Sequence, residues 1–171
     1  MSFQIDIFLQ PGEVYFGDSE TRIRTLLGSC VAVTWWHPRL KVGAMCHFLI
    51  PHRSRNKPRL DDALDGRYGE EAFAQVMHYI QAAGTLPADY QVKMFGGGQL
   101  LLEGGNRLPP VGERNIEFAK SWLATHGFRL SREHLAGHGH RHIVFDVANG
   151  DVWVRFQPQA LPDASQKRPK K

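Results

Sequence analysis

Residues 31–50 read VAVTWWHPRLKVGAMCHFLI and contain two successive strand signals. Residues 31–36 form a β-branched and aromatic run, which the following His37-Pro38 pair ends because proline cannot continue a strand ladder. Residues 42–50 form a second apolar run that stops at Pro51. The order predicts two adjacent antiparallel strands joined near Pro38, and this pair organises the rest of the domain.

Further strands and a hairpin are predicted outside this pair. The strand segments are residues 13–16, 22–27 and 90–95, and the last of them runs into Gly96-Gly97-Gly98. Residues 143–147 and 152–156 flank Asn149-Gly150, and Asn-Gly between β-prone runs is the strongest short-range hairpin signal.

Two helices are predicted from apolar residues that repeat at helical spacing. The first covers residues 70–83 and the second covers residues 113–126, followed by Gly84 and Gly127 at the positions where helices commonly end. The repeating residues are Phe73, Val76, Met77 and Ile80 in the first helix, and Ile116, Ala119, Trp122 and Leu123 in the second. Because strands precede, separate and follow these helices, the order predicts an α+β domain rather than a doubly wound sheet.

Length and composition fit one ordinary globular domain. The chain has 171 residues, of which 42% are hydrophobic and 22% charged. No apolar stretch is long enough to span a bilayer, and the N-terminal residues lack the features of a signal peptide, so we expect a cytoplasmic protein. The net charge of +4 comes from the C-terminal run QKRPKK, so we divide the chain into a domain, 1–158, and a basic disordered tail, 159–171.

Cys30 and His47 are the leading candidates for catalytic residues. Cys30 follows the small residues Gly28-Ser29 at the start of a predicted strand, and His47 interrupts an apolar strand. A thiol with an ordinary pKa of about 8.5 is only a few per cent thiolate at neutral pH, so a nucleophilic cysteine needs a partner such as an imidazolium. The residues alone leave the alternative open that both are ordinary core side chains. Cys46 should face away from His47 and serve as inert packing, since strand side chains alternate.

Two other motifs have a structural and a functional interpretation. Gly96-Gly97-Gly98 lacks the spacing of a phosphate-binding loop, which favours a turn or a close approach of two backbones. His134, His138, His140 and His142 could bind zinc, but no carboxylate or cysteine completes a ligand set, and Gly137 and Gly139 make the segment resemble a loop. We therefore expect no metal at this cluster.

Several motifs together resemble the CheD family of chemoreceptor glutamine deamidases. They extend over most of residues 12–156. The stretches that carry the resemblance are TLLGSCVAV (25–33), GAMCHFLIP (43–51), FGGG (95–98), GERNI (112–116), Arg141 and the hairpin around Asn149-Gly150.

The resemblance implies a catalytic set and a fold. Cys30 would be the nucleophile, His47 the general base and Thr25 the third catalytic residue, acting through a thioester with loss of ammonia and without a cofactor. The implied fold is a single α+β domain of stacked mixed sheets with two main helices packed to one side, similar to deamidating bacterial toxins. The implied substrates are glutamines in the helical cytoplasmic region of chemoreceptors, and a CheC-like phosphatase is a further partner to consider.

Three alternative functions stay open at this point. The same cysteine and histidine could serve a protease or small-molecule amidase, the chain could be a binding module without chemistry, or the histidine cluster could define a metal-binding protein. No zinc-finger or RNA-binding signature supports a nucleic-acid partner.

Overall fold

The secondary structure follows the predicted order with two added strands. The computed structural model describes residues 4–57, 59, 61–101 and 110–160. The elements within these residues are β1 (Ile5–Phe8), β2 (Val14–Gly17), β3 (Thr21–Leu27), β4 (Val31–His37), β5 (Val42–Phe48), α1 (Gly69–Ala82), a short 3-10 helix (Pro87–Asp89), β6 (Gln91–Gly96), α2 (Val111–Thr125), β7 (Leu130–Leu135), β8 (Gly139–Asp146) and β9 (Val152–Pro158).

The strands form two mixed sheets. The five-stranded sheet has the order β2-β5-β4-β6-β7, in which β6 and β7 run parallel and the other pairs are antiparallel. The four-stranded sheet has the order β1-β3-β8-β9, in which only β1 and β3 run parallel. The antiparallel pairing of β4 with β5 confirms the arrangement that residues 31–50 predict.

The two sheets and the helices make three layers. One face of the five-stranded sheet packs against α1 and α2, and its other face packs against the four-stranded sheet. Burial of apolar side chains on both faces is the main stabilising contribution. The helix-side core includes Val33, Trp35, Cys46, Phe48, Phe73, Val76, Met94 and Leu123. The inter-sheet core includes Ile23, Leu27, Ala32, Met45, Phe95, Ile143 and Phe145. This arrangement confirms the α+β class and the placement of both helices to one side.

Two strands lack a sequence signal because each lies at a sheet edge. β1 and β7 are largely exposed, so neither needs the alternation of apolar and polar residues that marks a half-buried strand. The loop-like interpretation of the histidine segment was wrong at three positions, since His134 lies in β7 and His140 and His142 lie in β8. Pairing with neighbouring strands overrides the local effect of the two glycines.

The helices begin one or two residues earlier than predicted and end one residue earlier. Gly84 and Gly127 follow the C-terminal ends of α1 and α2 with positive φ angles of 69° and 82°. In the part of the chain that the structure describes, neither helix has the length and apolar character needed to cross a bilayer. Most of the predicted basic tail, from residue 161 onward, lies outside the described residues.

Candidate active site

Thr25 and His47 meet between the two sheets, and Cys30 packs against the same inter-sheet core. Alternate residues of β3 are buried, and Thr25 is one of those that face the five-stranded sheet. His47 on β5 is paired with Ala32 on β4, and Cys30 lies two residues before Ala32. Cys30 itself lies just before the first residue of β4 and packs against the inter-sheet core, the side on which the Thr25–His47 hydrogen bond lies.

A hydrogen-bonded relay fixes the orientation of the His47 ring. The Thr25 hydroxyl donates to the carbonyl oxygen of Leu9 at 2.8 Å, and Thr25 Oγ1 lies 2.6 Å from His47 Nδ1. A hydroxyl has a single proton, which here is directed to Leu9, so Thr25 must accept its second hydrogen bond from Nδ1–H. The proton on Nδ1 leaves His47 Nε2 with a lone pair, and this nitrogen is the one able to accept a proton.

Burial keeps both reactive groups uncharged. His47 is 2% exposed, and its desolvation lowers its pKa to about 4. Cys30 is half-buried, and desolvation raises the pKa of its thiol, opposed in part by a hydrogen bond from its own backbone. A neutral thiol beside a neutral imidazole is therefore favoured at pH 7 over the thiolate and imidazolium that the sequence suggested.

All three carbonyl groups of the Gly28-Ser29-Cys30 segment, here called the nucleophile loop, accept hydrogen bonds. Gly98 N–H donates to Gly28 O at 2.9 Å and Gly97 N–H donates to Cys30 O at 2.9 Å. The side-chain amide of Asn115 donates to Ser29 O at 3.1 Å. Within the described residues, the amide N–H groups of Ser29 and Cys30 have no carbonyl partner, and that of Cys30 contacts its own sulfur, so both can donate to an anion that forms at the thiol.

Gly96-Gly97-Gly98 is a point of close backbone approach, as one of the two interpretations predicted. Gly96 has a φ of 103°, and a Cβ at this position would collide with the carbonyl oxygen of Cys30. A Cβ on Gly112, in the first turn of α2, would lie 2.6 Å from Gly98 O. The nucleophile loop, the glycine turn and the start of α2 are thus held together without intervening side chains.

Cys46 lies on the opposite face from His47, as predicted. It is fully buried in the helix-side core, and desolvation raises the pKa of its thiol to about 12. A thiol in this environment stays protonated at physiological pH, which agrees with a packing role.

The histidines of the predicted cluster have different hydrogen-bond partners. Arg141 Nε donates to His134 Nδ1 at 2.8 Å, and His138 Nδ1 lies 3.0 Å from Gln99 O. His140 and His142 lie two residues apart on β8. Across the described ranges, no three His, Cys, Asp or Glu side chains are arranged to hold a metal ion.

The sequence alone assigned no role at the site to Leu9 or Asn115. Leu9 acts through its backbone carbonyl, and no side-chain pattern signals such a role. Asn115 was noted only as part of a motif at the start of the second helix, although its side chain bonds the carbonyls of Ser29, just before β4, and of Leu49, just after β5. A buried asparagine in an otherwise apolar helix face was the available signal.

A thiol near a buried imidazole whose second nitrogen is bonded to a hydroxyl is the arrangement expected of a cysteine-dependent hydrolase. The sequence model of the family described as CheD chemotactic sensory transduction matches residues 49–156 of this chain. With the relatives below, this match shows that the chain belongs to the CheD family.

The relatives extend the similarity over nearly the whole chain. A protein of Dechloromonas aromatica named probable chemoreceptor glutamine deamidase CheD 3 is 46% identical over 151 residues, which cover 88% of this chain and 87% of that protein. Proteins named as probable chemoreceptor glutamine deamidases of the CheD type also come from Pseudomonas syringae pv. tomato (46% over 156 residues, 90% of each chain) and Albidiferax ferrireducens (50% over 151 residues, 87% of this chain and 86% of that one).

Proposed function

We propose that this CheD family member is a protein-glutamine deamidase that converts glutamine side chains of chemoreceptors to glutamate in the cytoplasm. Membership of the family and the names of its relatives support the substrate class. The observation that carries the chemistry is the relay from Leu9 O through Thr25 to His47, which leaves Nε2 as a base on the inter-sheet side, where Cys30 also packs.

In the first step, Cys30 Sγ attacks the carbon of the glutamine carboxamide while His47 Nε2 takes the thiol proton. Both groups start neutral because burial raises the thiol pKa and lowers the imidazole pKa. The proton therefore moves as the carbon–sulfur bond forms, in general-base catalysis. Thr25 stabilises the imidazolium that forms, since its oxygen accepts the Nδ1–H.

The carboxamide oxygen becomes an oxyanion, and the nucleophile loop supplies its donors. The N–H groups of Ser29 and Cys30 are free of carbonyl partners in the described structure, while the three carbonyls of the loop are held by other groups. One such donor is worth about 3 kcal/mol of transition-state stabilisation in comparable hydrolases.

Collapse of the tetrahedral intermediate and hydrolysis of the resulting thioester complete the reaction. The imidazolium returns its proton to the leaving nitrogen, ammonia departs, and a thioester joins Cys30 to the substrate. Water then attacks the thioester with His47 as base, which releases glutamate and the free thiol. A new carboxylate on a receptor helix changes its local charge, which is the signalling consequence. A CheC-like phosphatase is a further binding partner in this proposal.

The test is mass spectrometry of receptor cytoplasmic fragments incubated with the wild-type protein, with Cys30→Ala and with Cys46→Ala. We expect deamidated glutamine and released ammonia with the wild type and Cys46→Ala, and a loss of about 10⁴-fold or more with Cys30→Ala. Chain cleavage of the fragment would indicate a protease instead. Identical mass profiles for the wild type and Cys30→Ala would show that the cysteine does not act as proposed.

A further inference from the structure

Asn115 links the two strands that carry the candidate catalytic residues. It lies in the first turns of α2 and is completely buried. Its side-chain nitrogen donates to Ser29 O at 3.1 Å and to Leu49 O at 2.9 Å. Both partners are carbonyl oxygens, so only the amide nitrogen can face them, and the opposite orientation would place three acceptors together.

The two carbonyl groups flank the proposed nucleophile and base. Ser29 immediately precedes Cys30, and Leu49 follows His47 by two residues. The ladder between β4 and β5 ends at the pair Val31 and Phe48, so neither carbonyl lies within it. Asn115 therefore bridges the strands just where their own pairing stops.

The helix that carries Asn115 is itself fixed against this region. Gly112 packs directly on the backbone of Gly97 and Gly98, and those two residues donate to Cys30 O and Gly28 O. A shift of α2 would consequently move the nucleophile loop and the end of β5 relative to one another. Because the Asn115 side chain is bonded to both segments, the position of α2 determines the distance between them.

We propose that Asn115 is a positioning residue that sets the distance between the Cys30 thiol and the His47 imidazole. It touches neither group and acts through the backbone on either side of them. The inference deepens the proposed function, on which it rests for its kinetic consequence. A displacement of about 1 Å between reacting groups costs on the order of 100-fold in rate, so loss of the bridge should appear in kcat.

The experiment compares Asn115→Ala and Asn115→Asp with Leu123→Ala. Asn115→Asp keeps the side-chain volume but removes the donor, and Leu123 is a buried residue near the other end of α2. We expect both Asn115 variants to lose about 10- to 100-fold in kcat with KM changed little, while Leu123→Ala lowers the melting temperature and keeps kcat.

Alkylation of Cys30 by iodoacetamide gives a second readout that needs no receptor. In folded protein, Asn115→Ala should slow this alkylation about tenfold at pH 7, because the imidazole no longer lies where it can accept the thiol proton. The same substitution in a His47→Ala background should change the rate little, since a positioning residue has no effect once its target is removed.

Either of two results would overturn the inference. One is a loss of activity in the Asn115 variants that merely follows their folded fraction, as in Leu123→Ala. The other is an alkylation effect of full size in the absence of His47. If receptor fragments prove not to be substrates but the alkylation cycle behaves as expected, the positioning role stands and the proposed function fails.

Discussion

The two faces of the five-stranded sheet have opposite properties although they share the same strands. The helix-side face is filled by interlocking aromatic rings, such as Trp35 and Phe48, each edge-on to Phe73 with ring centroids 5.4 and 5.5 Å apart. The inter-sheet face has an apolar centre, but the polar side chains of Thr25 and His47 are buried at one end. Neighbouring residues of β5 thus lie in different surroundings, with Cys46 in an apolar core and His47 hydrogen-bonded to Thr25.

The difference shows how a small domain keeps a reactive site beside a stable core. The aromatic layer depends on burial alone and tolerates no charge. On the other face, the buried Thr25 hydroxyl is bonded both to the Leu9 carbonyl and to the His47 imidazole, which reduces the cost of burying these polar groups. Position in the fold gives the two cysteines different exposure, since Cys30 is half-buried and Cys46 is fully buried.

Selective alkylation of the two cysteines tests most directly whether the two faces differ in the accessibility of their thiols. We expect iodoacetamide to modify Cys30 at least about 10³-fold faster than Cys46, because a pKa of about 12 and full burial leave almost no accessible thiolate at Cys46. The Cys30 rate should rise steadily with pH, since burial raises that thiol's pKa above its ordinary value. Peptide mapping after timed labelling of native protein measures both rates.

Cys30→Ala and Cys46→Ala identify the reacting thiol in that experiment. Native Cys30→Ala should resist labelling until it is unfolded, and Cys46→Ala should retain the wild-type rate. Rapid labelling of native Cys46 would mean that the helix-side face is open to solvent and that the contrast between the two faces is false.

The pH dependence of stability should also distinguish the faces. His47 has a pKa of about 4 when folded and about 6.5 when unfolded, so the unfolded chain binds more protons between these values. The free energy of unfolding therefore rises with pH across this window, and His47 contributes on the order of 3 kcal/mol to that rise. His47→Gln should flatten this part of the curve, measured by urea unfolding at several pH values.

Phe73→Leu provides the matched comparison from the helix-side face. It should lower the free energy of unfolding by about 1–2 kcal/mol at every pH and leave the slope unchanged, since no titrating group is affected. A His47→Gln curve parallel to that of the wild type would contradict the assigned burial of a neutral imidazole.

Substitution of Thr25 should give the smallest of these effects. Thr25→Val keeps the side-chain shape but removes the acceptor of His47 Nδ1–H, so both nitrogens compete for the proton. We expect kcat for deamidation to fall about 10- to 100-fold, equivalent to roughly 1.4–2.7 kcal/mol, and Thr25→Ser to recover most of it. Steady-state ammonia release measures the change.

Thr34→Val is the control for that substitution. Thr34 is also buried, but it lies on β4 opposite Met45 and makes no hydrogen bond to His47 in the described residues. Its replacement should leave kcat unchanged. Equal losses in the two variants would show that the inter-sheet face responds to any change in packing and that the relay has no specific role.

Local sequence patterns were sufficient for much of the fold. The β-branched and aromatic run of β4, the helical spacing in α1 and α2, and the Asn-Gly turn between β8 and β9 predict elements that the structure confirms. The alternation of side chains along β5 was also enough to separate His47 from Cys46. The spacing of apolar residues indicates which side of a strand or helix is buried, and this information was sufficient to predict these elements and faces.

The sequence by itself determined the order of most strands and both helices, and it identified Cys30 and His47 as the two candidate catalytic side chains. Only the tertiary structure decided that Thr25 reaches His47, that the Leu9 carbonyl directs its proton, and that Asn115 bridges the ends of two strands. Those contacts join residues distant in sequence and depend on how the sheets and the helix stack. Stacking is set by the packing of the whole core, which no local pattern encodes.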